Sequence, residues 1–146
     1  MYGKYYRQID SKNRIVIPAK ILSELGHEFY ITAGFDKSLV LRTPSEFEKF
    51  KARLEENNAL NKDFRNLTRY IFGNTELLEP DKLGRVVLSK HLTDKVAIKK
   101  EVVFVGVGNT CEVFAKEEYD NCESFFENEE NIDALAQKLL DQGVKL

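Results

Sequence analysis

The chain has 146 residues, enough for two small modules but not for an additional domain, and its 42% hydrophobic and 32% charged residues are typical of a soluble globular protein. It contains no run of about 18 apolar residues that could span a membrane, and its first residues lack the apolar core of a signal peptide. Its two cysteines, Cys111 and Cys122, are too few for a disulfide framework or a zinc site and fit reduced thiols in the cytoplasm.

The formal net charge is −2, but the charges are unevenly distributed. Residues 1–22 carry five basic side chains and one acidic one, whereas residues 117–146 carry nine acidic side chains and two basic ones. This asymmetry predicts a basic face and an acidic C-terminal segment on the side away from it. The weak net charge also indicates that any affinity for nucleic acid must come from several loops together.

A segment near the start of the chain recurs later. Asp10–Pro18 returns 71 residues further on as Asp81–Ser89, and Gly34–Leu41 returns 72 residues further on as Gly106–Val113. One residue gained between two strands explains the change of offset. A repeat of this kind indicates that one supersecondary module was copied, and that the polar positions shared by both copies have a function.

Each copy begins with the pattern of a strand, a tight turn and a second strand. The incoming strands are predicted at Tyr5–Ile9 and Glu76–Pro80, and the outgoing strands at Ile15–Ile17 and Val86–Leu88. Short β-branched or aliphatic runs bounded by turn residues are typical of strands. The sequence therefore predicts a β-hairpin in each copy.

The turn residues indicate how each loop is shaped. Asp10 and Asp81 begin the two turns, and an aspartate there can accept a hydrogen bond from the backbone N–H two residues on. The fourth positions are Asn13 and Gly84, the residue types that best tolerate a positive φ. We therefore expect a type I turn followed by a left-handed residue in both copies.

An arginine follows each left-handed residue, Arg14 in one copy and Arg85 in the other. In one interpretation each arginine only pairs with its own aspartate, a contact that contributes about 0–1 kcal/mol when exposed. In the other, the aspartate shapes the loop and the arginine points outward to phosphate or guanine, which a guanidinium can contact with two parallel hydrogen bonds. Further donors for such a contact with DNA are Lys12, Lys82 and Arg7.

The segments between the loops predict short helices and buried strands. A helix is expected at residues 18–26, with Ser89 as the cap of its counterpart, and a capping box at Thr43–Glu46 opens another. Asn57 and Asn58 end that helix, and Gly73 is the expected stop of the next. The remaining predictions are strands at Phe29–Ala33 and Val102–Val105 and a helix at Lys62–Phe72.

Three side-chain patterns allow more than one interpretation. A basic stripe on the 62–72 helix is either solvated or pairs with a neighbouring subunit or the DNA backbone. An apolar stripe near the end of the chain is expected to pack on the chain's own core or on a neighbour. Tyrosines near the start are interpreted as core residues of a strand rather than as partners for stacked bases. The basic stripe consists of Lys62, Arg65 and Arg69. The apolar stripe consists of Ile132, Leu135, Ala136 and Leu139, and the tyrosines are Tyr2, Tyr5 and Tyr6.

These motifs resemble those of the MraZ family. The resemblance covers nearly the whole chain: the strand at Tyr5–Ile9, both Asp-x-x-x-Arg loops, Arg69–Gly73 and Gly106–Gly108. It implies an α+β fold with a mainly β core, in which two tandem swapped-hairpin half-barrels of the SpoVT–AbrB type form one pseudo-symmetric barrel with peripheral helices. The expected segments are repeat 1 at 5–47, a helical connector at 48–75, repeat 2 at 76–119 and an acidic helical segment at 120–146.

The resemblance also implies a function. Members of the family are expected to be transcriptional regulators that bind short direct repeats in double-stranded DNA upstream of the division and cell-wall gene cluster. They are expected to do so as ring-shaped homo-oligomers that can associate with the nucleoid. The implied DNA contacts lie on the loops 10–14 and 81–85. This chain departs from the family pattern in having Asn13 where glycine is usual, and Ser89 where its own first copy has Pro18.

Two other classes of function are weighed against this one. An enzyme is not expected, because His27 and His91 are the only imidazoles and lie at non-equivalent places, and no Gly-rich phosphate loop precedes a helix. No cofactor, metal site or small-molecule substrate is therefore predicted. The alternative is an antitoxin-like or scaffold DNA-binding module without promoter-specific regulation. Such antitoxins usually carry one half-barrel and a disordered tail, whereas this chain has two copies.

Overall fold

The computed structural model describes residues 1–146 and contains eight strands and six helices. The chain divides into two units, Met1–Lys116 and Glu117–Leu146. No helix combines the length and apolar character needed to cross a membrane. The elements of the first copy are β1 (Lys4–Gln8), β2 (Arg14–Val16), α1 (Ala19–Leu25), β3 (Phe29–Ala33), β4 (Leu39–Arg42), α2 (Pro44–Glu55) and α3 (Lys62–Gly73). Those of the second copy are β5 (Thr75–Leu78), β6 (Arg85–Val87), α4 (Lys90–Lys95), β7 (Glu101–Gly106), β8 (Cys111–Ala115), α5 (Lys116–Phe126) and α6 (Glu129–Asp141).

The strands of the two copies are interleaved in antiparallel sheets. Six strands form one sheet in the order β1-β7-β8-β4-β3-β5, and β2 and β6 form a second. The counterparts of β1 to β4 in the second copy are β5 to β8. When every strand is exchanged for its counterpart, the strand order of the larger sheet is reversed and each sheet keeps the same strands. The two copies are therefore related by a pseudo-two-fold axis. The predicted α+β fold of interleaved tandem copies is confirmed. Closure into a barrel stays a prediction, because β1 and β5 are the edges of the larger sheet.

The predicted hairpin within each copy is wrong in its strand pairing. β1 pairs with β7, with Tyr5 opposite Phe104, and β2 pairs with β6, with Ile15 opposite Val86. Only the turn itself joins β1 to β2. The sequence pattern identifies strands by local periodicity, which does not specify partners that lie far apart along the chain. The predicted strand up to Pro80 also ends earlier, at Leu78, because proline has no N–H to donate to a ladder.

One apolar core lies between the larger sheet, the β2–β6 pair and the short helices. Ile15 and Val86 contribute the inward face of the β2–β6 pair, while Phe29 and Phe104 contribute that of the larger sheet. Tyr5 packs against this core as predicted, but Tyr2 and Tyr6 are exposed, so the interpretation of all three tyrosines as core residues is wrong. Because both copies supply the core, neither could bury its apolar residues alone.

Helix ends follow the predicted capping chemistry with one exception. Thr43 Oγ1 accepts a hydrogen bond from the Glu46 N–H at 3.1 Å, and α2 ends before Asn57. Ser89 caps α4 by accepting from the Leu92 N–H at 3.4 Å. Gly73 is still helical rather than the stop. Asn74 caps α3 instead, and its Nδ2 donates to the Tyr70 carbonyl at 2.7 Å.

The second unit consists of α6 and all but the first residue of α5. The apolar stripe predicted on its last helix is present, but α6 has no buried residue, and Ile132 and Leu135 are exposed. The two expected arrangements of this stripe, packing on the chain's own core and contact with a neighbouring molecule, both stay predictions.

Candidate nucleic-acid interface

The first Asp-x-x-x-Arg loop is organised by one carboxylate. Asp10 Oδ1 accepts hydrogen bonds from the backbone N–H of Lys12 at 2.9 Å and of Arg14 at 2.8 Å. Asp10 Oδ2 accepts a third from Nε of Arg14 at 2.7 Å. The backbone closes the turn with bonds from Asn13 N–H to the Asp10 carbonyl and from Asp10 N–H to the Arg14 carbonyl. The φ of Asn13 is 57°, the left-handed conformation predicted from the sequence.

The second loop has the same network. Asp81 Oδ1 accepts from the backbone N–H of Leu83 and of Arg85, both at 2.9 Å, and Oδ2 accepts from Nε of Arg85 at 2.8 Å. Gly84 has the left-handed φ of 76°. The loops thus agree in these hydrogen bonds although their second and third residues differ, so the aspartate, the left-handed residue and the arginine are the features that the two loops share.

A neighbouring side chain favours glycine at position 84, whereas the equivalent position in the first loop is Asn13. A Cβ at Gly84 would come within 3.2 Å of Cδ2 of Leu22 on α1, tighter than ordinary contact. The pseudo-symmetric counterpart of Leu22 is Thr93, a smaller residue. A side chain at position 84 would therefore require Leu22 to shift by a few tenths of an ångström, a contact that the smaller Thr93 makes less severe for Asn13.

Hydrogen bonding holds both loop carboxylates in the charged form. The backbone N–H of Arg14 is the largest cause of a lowered pKa of Asp10, and the Arg14 guanidinium and the Lys12 N–H lower it further. The pKa of Asp81 is lowered in the same way, by the backbone N–H of Arg85 first and then by its guanidinium and the Leu83 N–H. Both carboxylates are therefore ionised near neutral pH and can hold their arginines in place.

Arg14 and Arg85 each bond their aspartate through only one edge of the guanidinium group. The ion pair of Arg14 with Asp10 and that of Arg85 with Asp81 both run through Nε, and both arginine side chains are about one third exposed, at 35% and 31%. The terminal Nη groups take no part in these bonds. The structure thus contains the pairing that one interpretation of the sequence expected, and this pairing leaves the outer edge of each guanidinium for a partner.

The antiparallel β2–β6 pair, which we call the ribbon, holds the two loops at its opposite ends. The Leu88 N–H donates to the Asn13 carbonyl at 2.8 Å, and the Ile17 N–H donates to the Gly84 carbonyl at 2.9 Å. The carbonyl of the left-handed residue in each loop is therefore bonded to the other copy. Each loop is positioned by both copies, and the two arginines are presented together on one ribbon.

The other predicted DNA-binding residues occupy different places. Lys12 and Lys82 are exposed in the loops, but at non-equivalent positions, because Lys12 aligns with Leu83. Arg7 lies on β1, outside the loops, and its Nη1 donates to the Tyr6 carbonyl at 2.8 Å. Sequence reasoning did not single out the exposed apolar residues of the second loop and the ribbon, Leu83, Val16 and Val87, although alternation with the buried Ile15 and Val86 indicates an outward direction for the valines.

The basic stripe on α3 is engaged in local contacts. Arg65 Nη1 donates to the Ala59 carbonyl at 3.0 Å, and Arg69 Nη1 donates to Oδ1 of Asn66 at 3.2 Å. Arg69 is exposed and Arg65 is partly buried. These contacts agree with the interpretation of a solvated helix face.

No group of three or more His, Cys, Asp or Glu side chains is arranged to hold a metal ion.

Comparisons with known proteins give a consistent result. The sequence pattern of the family described as "MraZ protein, putative antitoxin-like" matches residues 1–70 and again residues 71–142. A protein of Mycoplasma mobile named transcriptional regulator MraZ is 47% identical over 146 residues, covering 100% of both chains. Proteins of the same name from Mycoplasmopsis pulmonis and Ureaplasma parvum are 38% and 39% identical, covering 99% and 97% of this chain and 98% of each relative.

Proposed function

Because the chain belongs to the MraZ family, we propose that it is a sequence-specific transcriptional regulator that binds double-stranded DNA through its two Asp-x-x-x-Arg loops. The observation that carries this proposal is the ribbon, on which two loops with the same hydrogen-bond network present their arginines together. A two-stranded ribbon fits the major groove of DNA, which is about 12 Å wide.

The roles of the loop residues follow from the hydrogen bonds. Arg14 and Arg85 contact guanine or phosphate with their Nη groups, while Nε stays bonded to the aspartate. Asp10 and Asp81, together with the left-handed residues Asn13 and Gly84, shape the loops. Because the aspartate restricts the arginine before DNA arrives, less side-chain entropy is lost on binding.

The lysines and Arg7 contribute mainly through charge. Lys12 and Lys82 lie in the exposed loops and contact phosphates, which supply affinity without sequence information. Arg7 on β1 is a further phosphate contact beside the first loop. These charges act in a chain with a net charge of −2, so a single subunit binds weakly.

Several subunits are needed for tight binding. We infer a ring-shaped homo-oligomer that engages short direct repeats upstream of the division and cell-wall gene cluster, and an intracellular position on the nucleoid. Linked binding sites raise the overall affinity without any new contact, provided that their spacing matches that of the DNA repeats. The exposed apolar stripe on α6 is a candidate surface for subunit contacts. We propose that each subunit is divided into four segments: repeat 1 at 5–47, the helical connector at 48–75, repeat 2 at 76–119 and the acidic helical segment at 120–146.

The test combines a mobility-shift titration with a mass measurement. Full-length protein is titrated against its own upstream region and against an unrelated fragment of equal length, and the native assembly is weighed by light scattering at micromolar concentration. Tighter binding to the upstream fragment and a mass larger than a dimer are expected. Equal binding to both fragments would point to the alternative, an antitoxin-like or scaffold module without promoter specificity. A monomer would contradict the ring.

A further inference from the structure

Arginine and valine alternate on the outer face of the ribbon. Ile15 and Val86 point into the core, so their neighbours on both strands point outward. The register sets Arg14 opposite Val87, and Val16 opposite Arg85. The two arginines therefore lie on one diagonal of this face and the two valines on the other.

Both valines are open although a long arginine side chain starts opposite each of them. Val16 is 43% and Val87 57% exposed. Cross-strand Cβ atoms are ~5 Å apart, so an arginine stem is long enough to cover the opposite valine. Each arginine is instead held toward its own loop by the bond from Nε to the aspartate. The valine methyl groups are consequently left for a partner.

The pairing of these valines separates them from ordinary exposed apolar residues. Single apolar side chains are common on protein surfaces and need no explanation. Val16 and Val87, however, are counterparts in the two copies, lie within one four-residue face, and are flanked by the two proposed DNA contacts Arg14 and Arg85. Any DNA that reaches both arginines across the ribbon must pass directly over the valines.

We propose that Val16 and Val87 contact the methyl groups of two thymines in the major groove, and that they thereby help to determine which sequence is bound. This inference rests on the proposed DNA-binding function. Thymine is the only base with a methyl group in the major groove, and apolar side chains recognise it there. Diagonal residues on a sheet are ~7–8 Å apart, which corresponds to about two base-pair steps of ~3.4 Å. The pseudo-two-fold axis places the two thymines on opposite strands.

The test uses DNA that lacks only these methyl groups. The upstream fragment and an unrelated fragment of equal length are prepared with thymine and, in parallel, with uracil in its place. Full-length wild-type protein is titrated against all four. The double variant Val16→Ser, Val87→Ser is compared, because serine has no methyl group, whereas threonine would keep one that can still contact a thymine methyl. Val107→Ser, at an exposed valine in the turn after β7, is the matched control.

Burial of one methyl group changes affinity about fourfold, the equivalent of ~0.8 kcal/mol. Wild type should therefore lose about fourfold per contacted thymine when the upstream fragment carries uracil. The double serine variant should bind the thymine fragment more weakly and lose little more with uracil, and Val107→Ser should behave like wild type. Thermal melting checks that the variants are folded, and the uracil comparison with wild type needs no variant.

Two results would overturn the inference while leaving the proposed function intact. One is a wild-type protein that prefers its upstream fragment but binds the thymine and uracil forms equally. The other is a double variant that is as sensitive to uracil as wild type. A wild-type protein without any preference for its upstream fragment would contradict the proposed function itself, and with it this inference.

Discussion

Replacing Asp10 by alanine removes a negative charge from the proposed DNA-binding face, yet we expect weaker binding. The carboxylate accepts hydrogen bonds from the N–H groups of Lys12 and Arg14 and from Nε of Arg14. Without these three bonds the turn loses its side-chain support and the guanidinium is free to rotate. The Arg14 side chain then loses this conformational freedom only when DNA binds, and that loss of entropy lowers the affinity.

The expected size of the effect follows from the arginine contact. Asp10 holds Arg14 in place and also bonds the N–H of Lys12, so its removal should cost about as much as the loss of the arginine contact, which is about 5- to 150-fold for a base-contacting arginine. We therefore expect a decrease within that range for Asp10→Ala and a smaller one for Asp10→Asn. An asparagine oxygen can still accept the two backbone N–H bonds, but its amide nitrogen cannot accept the bond from Nε.

The assay is a titration against the upstream fragment at two salt concentrations. Asp133→Ala is the matched control, because it removes one exposed negative charge on α6 without touching a loop. Circular dichroism and thermal melting show whether the fold is retained. If Asp10→Ala and Asp10→Asn both bound more tightly than wild type at both salt concentrations, the aspartate would act only by repelling DNA and the reasoning would be refuted.

Three further predictions concern the same loops. Arg14→Ala and Arg85→Ala should each weaken operator binding by about 5- to 150-fold with little change in melting temperature, and the double variant should nearly abolish it; full binding by the folded double variant would exclude the loops as the contact site. Lys12→Ala and Lys82→Ala should lower the dependence of log affinity on log salt by about one unit per lost phosphate contact, and an unchanged slope would contradict their role. Both loop aspartates have a lowered pKa, so the stability they contribute is present above the ordinary value of 3.8 and is lost as the pH falls through their lower folded pKa. Carbon-13 NMR titration of the carboxyl groups should give midpoints below 3.8, and ordinary midpoints would show that the loop bonds do not persist in solution.

The sequence predicted local structure well because the residues that determine it are neighbours in the chain. The left-handed φ at Asn13 and Gly84 and the caps at Thr43 and Ser89 all depend on residues within four positions. The length of the repeat also predicted that the copies complete one another. These features are governed by turn stereochemistry and by hydrogen bonds of the first helical turn.

Strand partners could not be predicted in the same way. The turn at Asp10–Arg14 suits a hairpin, but β2 is only three residues long and its single inward residue, Ile15, is buried against Val86 of the other copy. That choice depends on burial between segments about 70 residues apart, which a local pattern does not contain. The end of α3 was misplaced because the Asn74 side chain, rather than the conformation of Gly73, satisfies a carbonyl of its last turn.

The covalent link between the two copies frees their loops to differ. Two separate identical half-barrels would present identical loops, and a site built from them would be symmetric by necessity. Within this chain the third loop position is Lys12 in one copy and the 68% exposed Leu83 in the other, although both loops keep the same hydrogen bonds. Each loop carries one lysine, but the first loop has Ser11 and Lys12 where the second has Lys82 and Leu83, so the two ends of the ribbon differ. For the proposed DNA-binding function, two different ends mean that the ribbon can distinguish the two directions along a duplex, which suits the proposed direct repeats better than a palindrome.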